Sequence, residues 1–291
     1  MKRGHILPAI LAALILLLAC IPVLTACGAE TSAGSAAQQE TLAGTDLTVR
    51  CFSAGAADAF LLYTQNSAVL IDCGEKGFGK EILSFLEENG IESLDYLIIT
   101  HFDQDHVGGA AKVINSFSVG TVLQSNCPKD SEEYEKYIKA LDSAGLQPVT
   151  VTDTLTFTLD GVRYTVDGPD SGSYEEDESN NSSLIVLVEN GENSLLFMGD
   201  AQTLRLEEFL DSHPAACDFL KVPHHGREEP LTEQLLEAVS PRYAVITSSQ
   251  EELESQDTLT LLEKTGAEVF LTRLGAVTVH SDGKEITVEY E

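Results

Sequence analysis

The chain has 291 residues, 43% hydrophobic and 22% charged, which gives ample material for one large domain or two modest ones. Its 47 acidic residues outnumber 17 basic ones, for a formal net charge of −30 at pH 7. Such a surface repels polyanions within the roughly 8–10 Å that salt leaves unscreened, which argues against tight binding to long nucleic acid.

The N-terminus carries Lys2 and Arg3, an apolar run over residues 6–24, then small residues. That is the pattern of a secretion signal rather than of a helix in the mature protein. Leu24-Thr25-Ala26-Cys27 resembles the lipobox of bacterial lipoproteins, which implies a signal peptide over 1–26 and lipidation of Cys27 as the first mature residue. Leu17-Leu18-Ala19-Cys20 matches less well and leaves too short an apolar core. The competing reading is an uncleaved membrane anchor, which Pro22 opposes by interrupting a span that needs about 20 apolar residues. Either way the rest of the chain is expected outside the cytoplasm, tethered to a membrane. Residues 27–45, rich in Ala, Gly, Ser, Thr and Gln without hydrophobic periodicity, read as a flexible tether to a domain over 46–291. Beyond the signal, Cys51, Cys73, Cys127 and Cys217 allow three disulfide pairings. None has the C-x-x-C spacing of a zinc site, and a domain this large needs no staples, so free buried thiols are expected.

Strand patterns over 46–52, 59–63 and 68–71 open the domain. Asp58, between the first two, either orients a ligand or caps a turn. Asp72, after the third strand, could simply form an Asx turn. An amphipathic helix over 80–89 stops at Gly90 and leads to Leu97-Ile98-Ile99-Thr100-His101-Phe102-Asp103-Gln104-Asp105-His106-Val107-Gly108-Gly109. Here a buried strand delivers a loop on which two imidazoles and two carboxylates are packed within six positions. A divalent cation, or a pair, removes the cost of that clustering. The glycine pair is expected to turn the chain into a helix over 110–116.

A strand over 121–124 and a charged helix over 131–143 come next. They are followed by a hairpin, 155–159 with 163–166, turning at Asp160-Gly161, and an acidic surface loop over 167–181. Asn181-Ser182-Ser183-Leu184 then precedes strands flanking Asn190-Gly191 that end at Gly199-Asp200. A helix over 201–210 leads to Leu220-Lys221-Val222-Pro223-His224-His225-Gly226. The chain closes with helices over 231–239 and 258–265, strands over 243–247 and 268–271, and a hairpin, 276–279 with 285–288. His213 and His280 fit no motif and read as ordinary surface or strand residues.

The run from His101 to His106 resembles the H-x-H-x-D-H signature of the metallo-β-lactamase superfamily, with Asp103 at the second His. The H-x-D-x-D-H variant is similar to the subgroup formed by the C-terminal domain of the competence protein ComEC. The resemblance covers residues 46–291 in order and implies an α/β, four-layer αββα sandwich, which two β-rich halves each followed by helices also fit. By resemblance, Asp72 supports the metal loop, Asn181 and Ser183 belong to a segment that has no third-motif His, and Asp200 bridges two metals. Asp105 with His106 would bind one ion and His101 with Asp103 the other. One of His224 and His225 is implied as a further ligand, and residues alone leave open which. The segment departs from the subgroup in Arg227, which replaces a Ser, in the missing Gln and Gly before Asp58, and in the absence of His over 248–257.

Two divalent ions, manganese or zinc, suit this mix of carboxylate and imidazole. A pair about 3.5–4 Å apart can clamp the oxygens of a displacement reaction, and phosphodiester hydrolysis fits best. Asp105, His225 and Lys221 are the candidate catalytic residues, with Lys221 and Arg227 expected to form a basic patch for a short phosphodiester. Hydrolysis of a lactam or lactone, and a non-catalytic metal-binding surface protein, are the alternatives, since a fold does not certify a function.

Overall fold

Residues 44–291 are described by this computed structural model. In chain order the first elements are β1 (Leu47–Cys51), β2 (Phe60–Tyr63), β3 (Ala68–Ile71), α1 (Gly79–Glu88), β4 (Ser93–Ile99), α2 (Gln104–Val107), α3 (Ala110–Ser116) and β5 (Ser118–Gln124). Then come α4 (Glu132–Ala144), β6 (Val149–Thr150), β7 (Leu155–Leu159), β8 (Val162–Asp167), α5 (Glu178–Asn181), β9 (Ile185–Asn190) and β10 (Asn193–Phe197). The last are α6 (Thr203–Asp211), β11 (Phe219–Lys221), α7 (Thr232–Val239), β12 (Tyr243–Ile246), α8 (Gln256–Thr265), β13 (Glu268–Leu271), β14 (Val277–Ser281) and β15 (Ile286–Tyr290). The expected signal peptide and Cys27 lie outside the described residues, as does most of the tether. Among the described residues no helix is long and apolar enough to cross a membrane.

The strands form an eight-stranded sheet, β15-β14-β1-β2-β3-β4-β5-β6, and a seven-stranded sheet, β13-β12-β11-β10-β9-β8-β7. In each, an antiparallel stretch gives way to a parallel one, beginning at β3–β4 in the first sheet and β10–β11 in the second. Alternation along the strands splits their side chains between cores. Val69 and Ile71 of β3 face the other sheet, among Val186, Phe197 and Phe219, while Leu70 packs with Ile82 of α1 and Val113 of α3. On the second sheet, Leu196, Leu220 and Ile246 pack outward with Leu206 of α6, Leu235 of α7 and Leu262 of α8. Three cores between four layers make the αββα sandwich that the sequence implied. The four cysteines among the described residues are free, with Cys51, Cys73 and Cys217 buried.

Three local features differ from expectation. The loop after β4 is helical over α2, and the acidic segment contains α5, both single turns too short for a periodic signal. β6 is a two-residue edge pairing with β5. The glycine pair does not turn the chain: Gly108 and Gly109 have right-handed helical backbone angles. Their role is close approach, because a Cβ on either would overlap backbone of the 73–76 segment.

Candidate metal centre

Parallel strands bring the polar residues to one edge, because their carboxyl ends point the same way and ligands gather beyond them. Asp72 follows β3, Thr100 and His101 follow β4, Asp200 follows β10, Lys221 ends β11, and Thr247 follows β12. Two of these junctions carry unfavourable backbone. Asp72 has φ 56°, and His224 and His225 have φ 50° and 53°. Non-glycine residues in the left-handed region cost about 1–3 kcal/mol each and cluster at functional sites. The turn at His224-His225 is pinned by hydrogen bonds from His224 N to Gly199 O (3.2 Å) and from Ser255 N to Gly226 O (3.0 Å).

Asp105, His106, Asp200 and His225 each present a ligand atom to one point, all within 4.8 Å of one another. His225 Nε2 is 3.1 Å from Asp105 Oδ2 and from Asp200 Oδ2, while His106 Nε2 is 3.3 Å from Asp200 Oδ2 and 3.7 Å from Asp105 Oδ2. A tetrahedral ion held at about 2.0–2.2 Å has ligand–ligand edges of roughly 3.3–3.6 Å, so the spacing fits. The Nε2 atoms of His101 and His106 are buried with no hydrogen-bond partner, the state of a ligand nitrogen aimed at a cation. Both observations say that these residues suit a divalent metal.

The electrostatics follow from four acids and three imidazoles sharing a dry edge. Burial opposes ionisation of Asp200, but His225, His106 and Lys221 outweigh it and hold its carboxyl well below the usual range. Burial likewise works against Asp105, which His106 and a hydrogen bond from His225 keep depressed. For His225, burial is overcome by Asp200 and by hydrogen bonds to Asp105 and Asp200, pushing it up to about 9. His106 is raised well above its ordinary value against burial, chiefly by Asp200 and Asp105. His101 goes the other way, down to about 4, through burial and then the neighbouring His106 charge. His106, His225 and the buried Lys221 ammonium together offset the carboxylate charge.

Buried hydrogen bonds aim the ligands. Asp72 Oδ2 lies 2.8 Å from His106 Nδ1 and accepts from Thr100 Oγ1 (2.6 Å), with Thr100 N on its other oxygen (2.8 Å). This fixes the His106 tautomer with Nε2 free, the usual outer support of a metal-ligating imidazole. His225 Nδ1 is within 2.9 Å of Thr247 Oγ1, which donates to Asp58 Oδ1 (2.7 Å). Asp58 thus reaches His225 through Thr247. Asp58, Asp72 and His106 Nδ1 also lie close together, but there Thr100 bonds Asp72, Thr247 bonds Asp58 Oδ1, and the Lys221 ammonium is paired with Asp58 Oδ2. Ser183 Oγ accepts from Asp200 N (3.1 Å) and lies 3.4 Å from His101 Nδ1. Asn181 Oδ1 accepts from Arg205 N (3.1 Å) at the start of α6.

Several expected residues stand elsewhere. His224 is not in the cluster: its Nδ1 meets Glu229 Oε1 (3.0 Å) and its Nε2 accepts from Arg227 (3.1 Å), so His225 is the one directed at the metal position. Lys221 is no part of a basic patch. Its side chain is 0% exposed, lying 2.5 Å from Asp58 Oδ2 and 3.3 Å from Asp200 Oδ1 and donating to Gly199 O (2.8 Å). The β11 register turns it inward, under the site. Arg227 is tied to Glu252 (2.8 Å). Asp103 is 3.9 Å from His101 Nε2 and is held instead by Lys129 and Ser179. Thr247, Lys129 and Ser179 were missed by sequence reading. Thr247 had a signal, as the polar residue ending a buried strand, whereas Lys129 is a single polar residue in a loop and Ser179 one in the single-turn α5.

Residues 53–248 match the sequence model of the metallo-beta-lactamase superfamily. Over 172 residues, 59% of this chain, the sequence is 28% identical to ComE operon protein 3 of Bacillus subtilis (strain 168), covering 22% of that protein. It is also 28% identical over 197 residues, 66% of the chain, to Recombination protein 2 of Haemophilus influenzae, covering 23% of it. The chain thus spans less than a quarter of the length of these relatives. Among solved structures, the metallo-beta-lactamase fold protein YhfI from Bacillus subtilis superposes with a TM-score of 0.56 at 10% identity, covering 84% of this chain and 100% of that one, a likeness of fold.

Proposed function

The chain belongs to the metallo-β-lactamase superfamily, whose members are generally metal-dependent hydrolases, and on that premise we propose that it hydrolyses small or short phosphodiesters with divalent metal, zinc or manganese. It does so outside the cytoplasm, held to a membrane through lipidated Cys27. The observation that carries this reading is the donor set: Asp105, Asp200 and Asp103 stand with His106, His225 and His101, and the Asn181–Leu184 segment, which by resemblance stands where other members carry a third-motif His, brings Ser183 rather than an imidazole beside His101. Oxygen-rich sites suit hard cations and phosphoryl oxygens.

Asp105, His106, Asp200 and His225 would hold one ion, and His101 and Asp103, with a share of Asp200, a second. Bound metal supplies Lewis-acid stabilisation of charge developing on the phosphoryl oxygens and makes water nucleophilic at neutral pH. The chain's own residues set the geometry. Asp72 and Thr100 fix His106, and Thr247 and Asp58 fix His225, so that neither imidazole reorients when charge shifts. Lys221 holds Asp200 from beneath and offsets part of the carboxylate charge. Asp105, 30% exposed on its side chain, is the carboxylate of that quartet that solvent reaches. The name of the Haemophilus relative, a recombination protein, supports phosphodiester chemistry, and the charge of −30 supports a small substrate rather than a polymer.

The test is a comparison of metal-loaded chain on a nitrophenyl phosphodiester, a chromogenic lactam and a lactone. The diester should turn over fastest, and long single-stranded DNA should be a poor substrate that improves with added salt as repulsion is screened. Lactam or lactone turnover above that of the diester would overturn the assignment.

A further inference from the structure

The two metal positions are unequal, and the inequality has a visible cause. The quartet of Asp105, His106, Asp200 and His225 converges on one point. The second position has fewer donors. His101 offers a buried Nε2 with no hydrogen-bond partner, its Nδ1 already within reach of Thr100 Oγ1 (3.2 Å) and Ser183 Oγ (3.4 Å). The carboxylate that must join it, Asp103, is 3.9 Å away, and the oxygen it would use is engaged by the Lys129 ammonium and the Ser179 hydroxyl. Lys129 comes from the segment leading into α4 and Ser179 from α5, so two separate parts of the chain close on the same oxygen.

An ammonium in contact with a carboxylate does part of what a divalent ion would do there. It neutralises charge, accepts the same lone pair, and repels an incoming cation. Building on the metal-site reading above, we propose that Lys129 is a built-in competitor for Asp103, so that the chain holds one divalent ion tightly and admits a second only when Lys129 releases that carboxylate. Ser179 assists by holding Asp103 in the orientation that Lys129 uses. The pair is partly open, with side-chain exposures of 37% for Lys129 and 27% for Asp103, so the competition is of moderate strength and reversible.

The test is manganese binding to the full chain stripped of metal, followed by calorimetry and by elemental analysis after dialysis, with no substrate present. Wild type should take up one ion tightly and a second at least about ten-fold more weakly. Lys129→Met should tighten the second by on the order of ten-fold and change the first by less than about two-fold. Ser179→Ala should act in the same direction but less, and Lys129→Arg, which keeps the charge, should behave as wild type. Asp103→Asn should abolish the second ion in every background. Equal affinities for both ions in wild type would overturn the proposal, as would a second-ion affinity that Lys129→Met leaves unchanged or weakens. Uptake of no ion by any form would overturn the metal site itself, whereas failure to cleave a diester with one or two ions bound would overturn only the phosphodiesterase reading.

Discussion

Lys221→Met tests the buried charge network most sharply. The ammonium lies between Asp58 and Asp200, at 2.5 and 3.3 Å, and the three side chains are 0%, 0% and 4% exposed. Methionine keeps the length of the stem, so packing is nearly conserved and the change isolates the charge. Removing one partner of a buried ion pair strands the other in a medium that solvates it poorly, at a cost of about 3–5 kcal/mol, whereas an exposed pair is worth about 0–1 kcal/mol. The carbonyl of Gly199 also loses one of its two donors, keeping His224 N. The metal-free variant should therefore lose about 3–5 kcal/mol, read as a lower urea midpoint at unchanged slope. Asp58→Asn added to Lys221→Met should recover part of the loss by removing one stranded charge. Saturating zinc should recover part by neutralising Asp200 from the other side. A loss below about 1 kcal/mol, or no relief from the second substitution, would refute the assignment of Lys221 as a buried counter-ion.

Asp72→Asn should weaken metal binding about 10–100-fold with the fold retained, measured by competition with a chromophoric chelator, and an unchanged affinity would remove Asp72 from the support of His106. His225 is pushed up to about 9 from an ordinary 6.5, so its contribution to stability is complete below about pH 6.5 and is lost as pH rises through about 9. The urea midpoint of the metal-free chain should accordingly fall across that window, and a flat profile would contradict the pairing of His225 with Asp200 and Asp105. The same protons must leave when metal binds, so at neutral pH the heat of metal uptake should depend on the ionisation enthalpy of the buffer. Cys27→Ala should release the protein from membranes or leave its signal uncleaved; unchanged, fully processed membrane association would rule out lipidation there.

The fold was legible because its cores are periodic. Leu47, Val49 and Cys51 mark a strand by alternation, and Ile82, Leu86, Leu235 and Val239 mark helices by their spacing. The central metal loop was legible because His101, Asp103, Asp105 and His106 are crowded into one segment after an apolar run. What the residues did not reveal depends on contacts between distant segments. His224 and His225 are adjacent and chemically identical, and only the left-handed turn with Glu229 beside it decides which faces Asp200. Lys221 looked like a surface cation because alternation does not say that a strand end lies beneath a cluster of acids. Single-turn α5 holds through tertiary bonds, Ser179 to Asp103 and Asn181 to Arg205, rather than through its own propensity.

On the proposed function, the cluster around Asp200 holds metal and uses it to hydrolyse phosphodiesters. The direct measurement is the rate on a small nitrophenyl phosphodiester of the full chain stripped of metal, then resupplied with zinc or manganese, beside Asp200→Asn treated identically. Hydrolysis should arise only with metal, and Asp200→Asn should lose both activity and occupancy at both positions. Bound metal without hydrolysis by either ion, or full occupancy in Asp200→Asn, would contradict the account.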